Sequence, residues 1–178
     1  VEIDNLILGT GSNEIIEFLF HAFIAPGDEV VVGDRSFVIY SIMARTFQAR
    51  CIDVPFNVHT HDMLGMRAAI SGRTKLVFVA NPNNPTGTRV SNAELTTFIE
   101  NLPAHVICVL DEAYIEFLDD PPASIEWALG RPSVCGSALP GATGRAKNGP
   151  PTIAPKVVVL RTFSKIVGLA GLRIGYGV

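Results

Sequence analysis

The stretch VVVLRTFSK, residues 157–165, begins as a run of apolar residues and ends in a loop that carries two hydroxyls and a lysine. An uninterrupted apolar run is typical of a strand that is buried on both faces of a parallel sheet. Two earlier stretches show the same order, LVFVANPNNPTG at residues 76–87 and VICVLDEAY at residues 106–114. Helical patterns alternate with these strands, which predicts an α/β fold. Its mostly parallel central sheet carries helices on both faces, as a three-layer sandwich.

Local signals indicate where the intervening helices begin. Ser12 precedes apolar residues at helical spacing, so it can cap a first helix. Ser91-Asn92-Ala93-Glu94 fits a capping box and opens another helix. Further strands are predicted at residues 29–32, 51–54 and 173–178.

Chemically useful side chains follow three of the buried strands. Asn84 comes after the first of them, Asp111 after the second and Lys165 after the third. In open α/β sheets, ligands bind outside the carboxyl ends of the strands. We therefore expect these three side chains to converge on one site, although they are far apart in the sequence.

The residues around Lys165 suit a carbonyl cofactor that carries a phosphate. Lys165 can form a Schiff base, because a lysine amine loses its proton readily near other cations. Thr162, Ser164 and Arg173 can hold the phosphate. Asp111 follows five apolar residues, where an unpaired carboxylate is costly. This carboxylate therefore needs a partner.

These strings, in this order, resemble the fold-type I pyridoxal-phosphate aminotransferases. The matching segments are NPNNPTG at residues 81–87, DEAY at 111–114 and TFSK at 162–165. The longer string DEAYIEF, residues 111–117, is most similar to the histidinol-phosphate aminotransferase branch. The resemblance implies the large domain of that fold and pyridoxal 5′-phosphate as its cofactor.

The resemblance also implies a role for each matching residue around the cofactor ring. Asn84 and Tyr114 would bind the phenolic oxygen O3′, and Asp111 would pair with the ring nitrogen. Lys165 would carry the cofactor and move a proton between the substrate Cα and the cofactor C4′. Phe37 matches the position whose aromatic ring stacks on the pyridine, where many relatives have tyrosine. We interpret the nearby Tyr40 as structural.

A second group of residues is expected at the cofactor phosphate. Gly9-Thr10-Gly11 leads into the first helix, whose free N–H groups and dipole attract an anion. By resemblance, the phosphate ligands are Ser12, Asn13, Thr162, Ser164 and Arg173.

The resemblance implies transamination between histidinol phosphate and 2-oxoglutarate, which gives imidazole acetol phosphate and glutamate in histidine biosynthesis. A threonine-phosphate decarboxylase or an aromatic aminotransferase of the same fold is the first alternative. A catalytically inactive fragment of the cofactor domain is the second. The expected partners are a small-molecule amino donor, a 2-oxo acid and a second copy of the full-length chain, in a homodimer.

Composition and charge exclude several other classes of protein. The chain has 178 residues, of which 48% are hydrophobic and 17% charged, with a net charge of −3. This balance does not suggest binding to nucleic acid or to an anionic membrane surface. No apolar stretch approaches the roughly 20 residues that cross a bilayer. The three cysteines are widely spaced, which favours free thiols in the cytoplasm over a disulfide framework. His59 and His61 have a spacing that could bind a metal, but a solvated loop is favoured, and no metal site is predicted.

We expect residues 1–178 to be an incomplete large domain, without the N-terminal arm and the C-terminal small domain of the family. Residues 131–155 are rich in proline, glycine and alanine and lack apolar periodicity. They are predicted to form a flexible insertion, since the closure cost of a loop grows slowly with its length.

Overall fold

A computed structural model describes residues 1–130 and 156–178, which form one seven-stranded sheet in the order β1-β7-β6-β5-β4-β2-β3. The strands are β1 (Ile7–Gly9), β2 (Glu29–Gly33), β3 (Arg50–Val54), β4 (Thr74–Ala80), β5 (Ile107–Asp111), β6 (Lys156–Thr162) and β7 (Gly175–Gly177). β7 runs antiparallel to β1 and β6, and the other neighbouring pairs among the described residues are parallel. The predicted mixed but mostly parallel sheet is therefore confirmed.

Helices cover both faces of the sheet. They are α1 (Ser12–Phe23), α2 (Ile39–Thr46), α3 (Met63–Ala68), α4 (Asn92–Glu100) and α5 (Ser124–Ala128), and short 3₁₀ turns lie at Ile3–Asn5, Ile115–Phe117 and Ala170–Leu172. Successive strand residues point to opposite faces. Val30 of β2 accordingly packs with α1 and α2, whereas its neighbour Val31 packs with α3 and α4. These two apolar layers produce the predicted three-layer sandwich.

The ends of the helices follow the sequence signals in part. Ser91 and Glu94 form the predicted capping box at the start of α4. The prediction for Ser12 is wrong, because Ser12 is the first residue of α1 and Gly11 occupies the cap position. Gly11 has a φ of +81°, a conformation that glycine adopts without the clash that a side chain would cause.

One end of the sheet, formed by β1 and β7, shows where the sequence patterns were too weak. The short strand β1 was not predicted, and β7 begins at Gly175 instead of Arg173. The predicted insertion at 131–155 lies outside the described residues. None of the helices within residues 1–130 and 156–178 has the length and apolar character needed to span a membrane.

Candidate active site

The carboxyl ends of β4, β5 and β6 lie side by side at one edge of the sheet. Ala80 of β4 pairs with Asp111 of β5, and Asp111 pairs with Leu160 of β6. The polar segments that follow these strands therefore begin close together. We call residues 81–87, which follow β4, the asparagine loop.

A cleft opens at this edge, and it brings all of the predicted site residues together. Those residues are Ser12, Asn13, Phe37, Asn84, Asp111, Tyr114, Thr162, Ser164, Lys165 and Arg173, and each of them lines the cleft. Further lining residues, not predicted from the sequence, are Gly11, Tyr40, Ala80, Pro82 and Ala113. The expected convergence of Asn84, Asp111 and Lys165 is thus found.

Asp111 is the buried carboxylate of the cleft, with 5% of its surface exposed. The hydroxyl of Tyr40 donates to Oδ2 at 2.6 Å, and the backbone N–H of Ala113 donates to Oδ1 at 3.2 Å. Burial raises the pKa of Asp111 above its ordinary value. The Tyr40 hydroxyl, the Ala113 N–H and the charge of Lys165 act against this rise, since each favours the ionised form.

Lys165 lies in the loop after β6 and faces an aromatic ring across the cleft. Its Nζ is 4.9 Å from the centre of the Tyr114 ring, within the range of a cation–π contact. Lys165 is exposed, so its amine can be reached from solvent. The amine and the Asp111 carboxylate therefore border the same space from two neighbouring strands.

The other end of the cleft is built for an anion. The N-terminus of α1 directs the free N–H groups of its first turn toward it. Thr162 and Ser164 add hydroxyls, whose oxygens lie 3.0 Å apart. Arg173 adds a guanidinium, and its Nη2 donates to the carbonyl of Thr10 at 3.4 Å. Hydroxyls, backbone N–H groups and a fixed cation together suit a phosphate.

Arg173 reaches this position through an unusual backbone. Its φ of +52° lies in the left-handed region, which is uncommon for a residue with a side chain. A side chain on Gly11 would lie 3.0 Å from Nη2 of Arg173, so glycine leaves room for the guanidinium. Two residues later, a Cβ on Gly175 would collide with the backbone of Gly11 and Ser12. The approach of β7 to the start of α1 thus depends on glycine at both positions.

Aromatic rings form the wall beside Asp111. Phe37 meets Tyr40 edge to face at 5.8 Å, and Tyr40 stacks on Phe78 at 4.5 Å. Tyr40 is fully buried, and its hydroxyl reaches Asp111. Our interpretation of Tyr40 as structural was therefore incomplete. A buried tyrosine hydroxyl requires a polar partner, and this requirement could have indicated from the sequence that Tyr40 contacts a polar group.

Glu112, next to Asp111, forms a separate buried ion pair. Its Oε2 accepts from Nε of Arg161 at 3.0 Å and from Nη2 at 2.8 Å. Neither residue lines the cleft. Burial raises the pKa of Glu112, while Ser124 and Arg161 oppose the rise. This pair connects the end of β5 to β6, and of the two neighbouring carboxylates only Asp111 lines the cleft.

His61 does not lie in a solvated loop, and that prediction is wrong. His61 is 5% exposed, and its Nε2 lies 3.2 Å from the carbonyl of Ala80. Burial lowers its pKa to about 4. Across residues 1–130 and 156–178, no group of three or more His, Cys, Asp or Glu side chains is arranged to hold a metal ion.

A mostly parallel sheet between two helical layers, with a lysine-bearing cleft at the carboxyl ends of its strands, defines an α/β enzyme domain of fold type I. The family description "Aminotransferase class I and II" matches residues 2–178, and the chain belongs to this family. Over its full length, the chain is 44% identical to a histidinol-phosphate aminotransferase of Moorella thermoacetica and covers 41% of that relative. It is 43% identical to an aromatic amino acid aminotransferase of Mycobacterium sp. (strain JLS), with 98% of this chain and 43% of the relative aligned.

A solved structure shares the fold. The histidinol-phosphate aminotransferase from Sinorhizobium meliloti, in complex with pyridoxal-5′-phosphate, aligns with a TM-score of 0.79 and 27% identity. The alignment covers 98% of this chain and 42% of the solved one. The chain thus spans about two fifths of the length of the curated relatives that it matches.

Proposed function

We propose that the described cleft is the cofactor half of an aminotransferase active site, and that the full-length protein transfers an amino group from an amino donor to a 2-oxo acid. The family, together with a solved relative that holds pyridoxal-5′-phosphate, indicates this cofactor. The observation that carries the proposal is the meeting of ten predicted side chains in one cleft.

The residues that line the cleft suit each functional group of pyridoxal 5′-phosphate. The anion-binding end formed by α1 and Arg173 would hold the phosphate. Asp111, a buried carboxylate open to the cleft, would pair with the ring nitrogen, and Phe37 would stack on the ring. Asn84 and Tyr114 would bind the phenolic oxygen. Lys165 would be the covalent attachment point.

The bound cofactor supplies an electron sink for the charge that develops when the substrate Cα loses a proton. The protein contributes the groups that control this charge. Tyr40 and the Ala113 N–H donate to Asp111 and so favour its ionised form, which would hold a proton on the ring nitrogen. Lys165 would take the proton from the substrate Cα and return it at C4′ of the cofactor. The aromatic wall of Phe37, Tyr40 and Phe78 keeps water from the buried side of the site.

For the amino donor we propose histidinol phosphate, with 2-oxoglutarate as the acceptor, as a step of histidine biosynthesis. The string DEAYIEF and the relatives named histidinol-phosphate aminotransferase support this choice. An aromatic aminotransferase is the second candidate, because relatives of that name reach nearly the same identity. Threonine-phosphate decarboxylation is the alternative that needs the same lysine, aspartate and asparagine.

We further propose that residues 1–178 are an incomplete cofactor domain and that the full-length protein is a cytoplasmic homodimer. The described residues would supply the cofactor contacts, but Arg173, proposed for the phosphate, is the only arginine among them that lines the cleft. Without a pair of substrate-binding arginines, the substrate is poorly oriented, and orientation accounts for up to about 7–11 kcal/mol of a barrier. The isolated segment is therefore expected to be inactive or nearly so.

Reduction of the full-length protein with borohydride tests the attachment point. Peptide mapping is expected to find the pyridoxyl group on Lys165 and to find none in Lys165→Ala. Lys75→Ala serves as a matched control that keeps the label, because the half-buried Lys75 lies in β4 away from the cleft. Label on any other lysine would contradict the assignment. A screen of amino donors, with histidinol phosphate and aromatic amino acids side by side, then distinguishes the substrate proposals.

A further inference from the structure

The side chain of Asn83 joins two segments that contribute to the cleft. Asn83 lies in the asparagine loop and is 3% exposed. Its Nδ2 donates to the backbone carbonyl of Arg35 at 3.0 Å and to Oγ1 of Thr86 at 2.9 Å. Its Oδ1 accepts from the hydroxyl of Ser36 at 2.9 Å. Both N–H donors and the oxygen of the amide are therefore in use.

These bonds connect two cofactor contacts that are distant in sequence. Arg35 and Ser36 directly precede Phe37, the aromatic residue of the cleft. Asn83 directly precedes Asn84, the amide of the cleft. Asn83 itself does not line the cleft. Its side chain thus fixes the segment that carries the ring to the segment that carries the amide.

The asparagine loop is anchored at its start as well. The backbone N–H of Asn81 donates to the carbonyl of Asp111 at 3.0 Å, and its Oδ1 accepts from the N–H of Val90 at 2.9 Å. Asn84 therefore follows two anchored residues. Asn81 is bonded to the Asp111 strand, and Asn83 is bonded to the Phe37 segment. Loss of the Asn83 side chain would remove three hydrogen bonds and free one side of this arrangement.

We propose that Asn83 is a positioning residue, which sets the placement of Asn84 relative to Phe37 and thereby the hydrogen bond that Asn84 gives to the cofactor's phenolic oxygen. This inference rests on the proposed function. A donor to that oxygen favours its charged form and withdraws electron density from the lysine linkage. Displacement of Asn84 should therefore raise the pH at which the linkage loses its proton, although Asn83 touches neither group.

The test is a pH titration of the visible absorption of the lysine-linked cofactor in the full-length protein. Asn83→Ala removes the whole connection, and Asn83→Asp keeps an acceptor for Ser36 but loses the donor to Arg35. Both variants are expected to shift the midpoint upward by about half to one pH unit, the size expected for one weakened hydrogen bond. The circular dichroism of the bound cofactor should also change, because its stacking on Phe37 is altered.

Thr88→Val is the matched control. The Thr88 hydroxyl donates to the carbonyl of His59 at 2.7 Å and lies 2.7 Å from Oγ1 of Thr86. Its loss therefore loosens the asparagine loop while the bonds of Asn83 to Arg35 and Ser36 stay in place. It is expected to lower the melting temperature and to leave the midpoint unchanged. An equal shift in Thr88→Val would overturn the proposal, and so would a wild-type midpoint in both Asn83 variants.

Two further outcomes distinguish failure of the proposed function from failure of the role of Asn83. A wild-type protein that shows no cofactor absorption and no label on Lys165 would refute the proposed function itself. If Asn83→Ala does not fold, Ser36→Ala removes only one bond and is expected to give a smaller upward shift. An unchanged midpoint in Ser36→Ala would then count against the role of Asn83.

Discussion

The hydroxyl of Tyr40 donates a 2.6 Å hydrogen bond to Oδ2 of Asp111, a residue 71 positions further along the chain. The bond joins the first turn of α2 to the carboxyl end of β5. It supplies a donor to a carboxylate whose burial would otherwise favour the protonated form.

Tyr40→Phe is expected to raise the pKa of Asp111 further, because the hydrogen bond that lowers it is lost. In the full-length enzyme, the acid limb of the kcat/KM profile should move to higher pH, because loss of the hydrogen bond favours the protonated carboxyl. Phenylalanine keeps the stacking on Phe78. Tyr176→Phe removes a hydroxyl that does not contact Asp111 and should leave the acid limb in place. An unshifted acid limb in Tyr40→Phe would show that the bond does not control Asp111.

Asp111→Ala is expected to abolish most of the turnover while some cofactor remains bound. A hydrogen bond to a charged group contributes about 1.5–3 kcal/mol, and loss of the ring-nitrogen partner also affects the chemical step. Measurements of kcat and of cofactor affinity separate the two effects. Asp53→Ala, on the edge strand β3 outside the cleft, is the control. A kcat close to that of the wild type would be incompatible with the proposed role.

Gly175→Ala is expected to weaken cofactor binding and to destabilise the fold by about 1–3 kcal/mol. The new Cβ would meet the backbone of Gly11 and Ser12, which cannot move without shifting the N-terminus of α1. Gly72→Ala is the matched control, since a Cβ there meets nothing within 4 Å. Cofactor affinity and urea unfolding should both distinguish the two variants. Equal behaviour would mean that α1 and β7 have more room than the structure indicates.

His61 is expected to make the free energy of unfolding depend on pH. Its pKa is lowered from 6.5 to about 4 in the folded protein, so the unfolded chain binds more protons between these values. Stability should therefore fall as the pH decreases from 6.5 to 4, by at most about 3 kcal/mol from this residue. Urea unfolding between pH 7.5 and pH 4.5 measures the slope. His61→Gln should flatten it, whereas His59→Gln, at an exposed position, should not.

Sequence patterns predicted the parts of this site that follow buried strands. Asp111 directly follows a run of apolar residues, and Lys165 lies a few residues beyond another such run. Such a run is a strong sequence signal because it can be recognised from neighbouring residues alone. Tyr40 is different, because its partner lies 71 residues away and no local pattern identifies it. His61 has polar neighbours in the sequence, yet the fold buries it against Ala80. The strand β1 has three residues, too few for a period of two to stand out.

The contact between Gly175 and the start of α1 has a consequence for the order of events during synthesis. The phosphate end of the cleft combines residues 11–13 with residues 173–175, so it is complete only after the later of these two segments has been made. A ribosome-bound chain that lacks β7 has the helix terminus but neither Arg173 nor the strand that presses against it. We therefore expect the proposed cofactor to bind only after β7 has joined the sheet, and its binding would then stabilise the assembled domain by mass action.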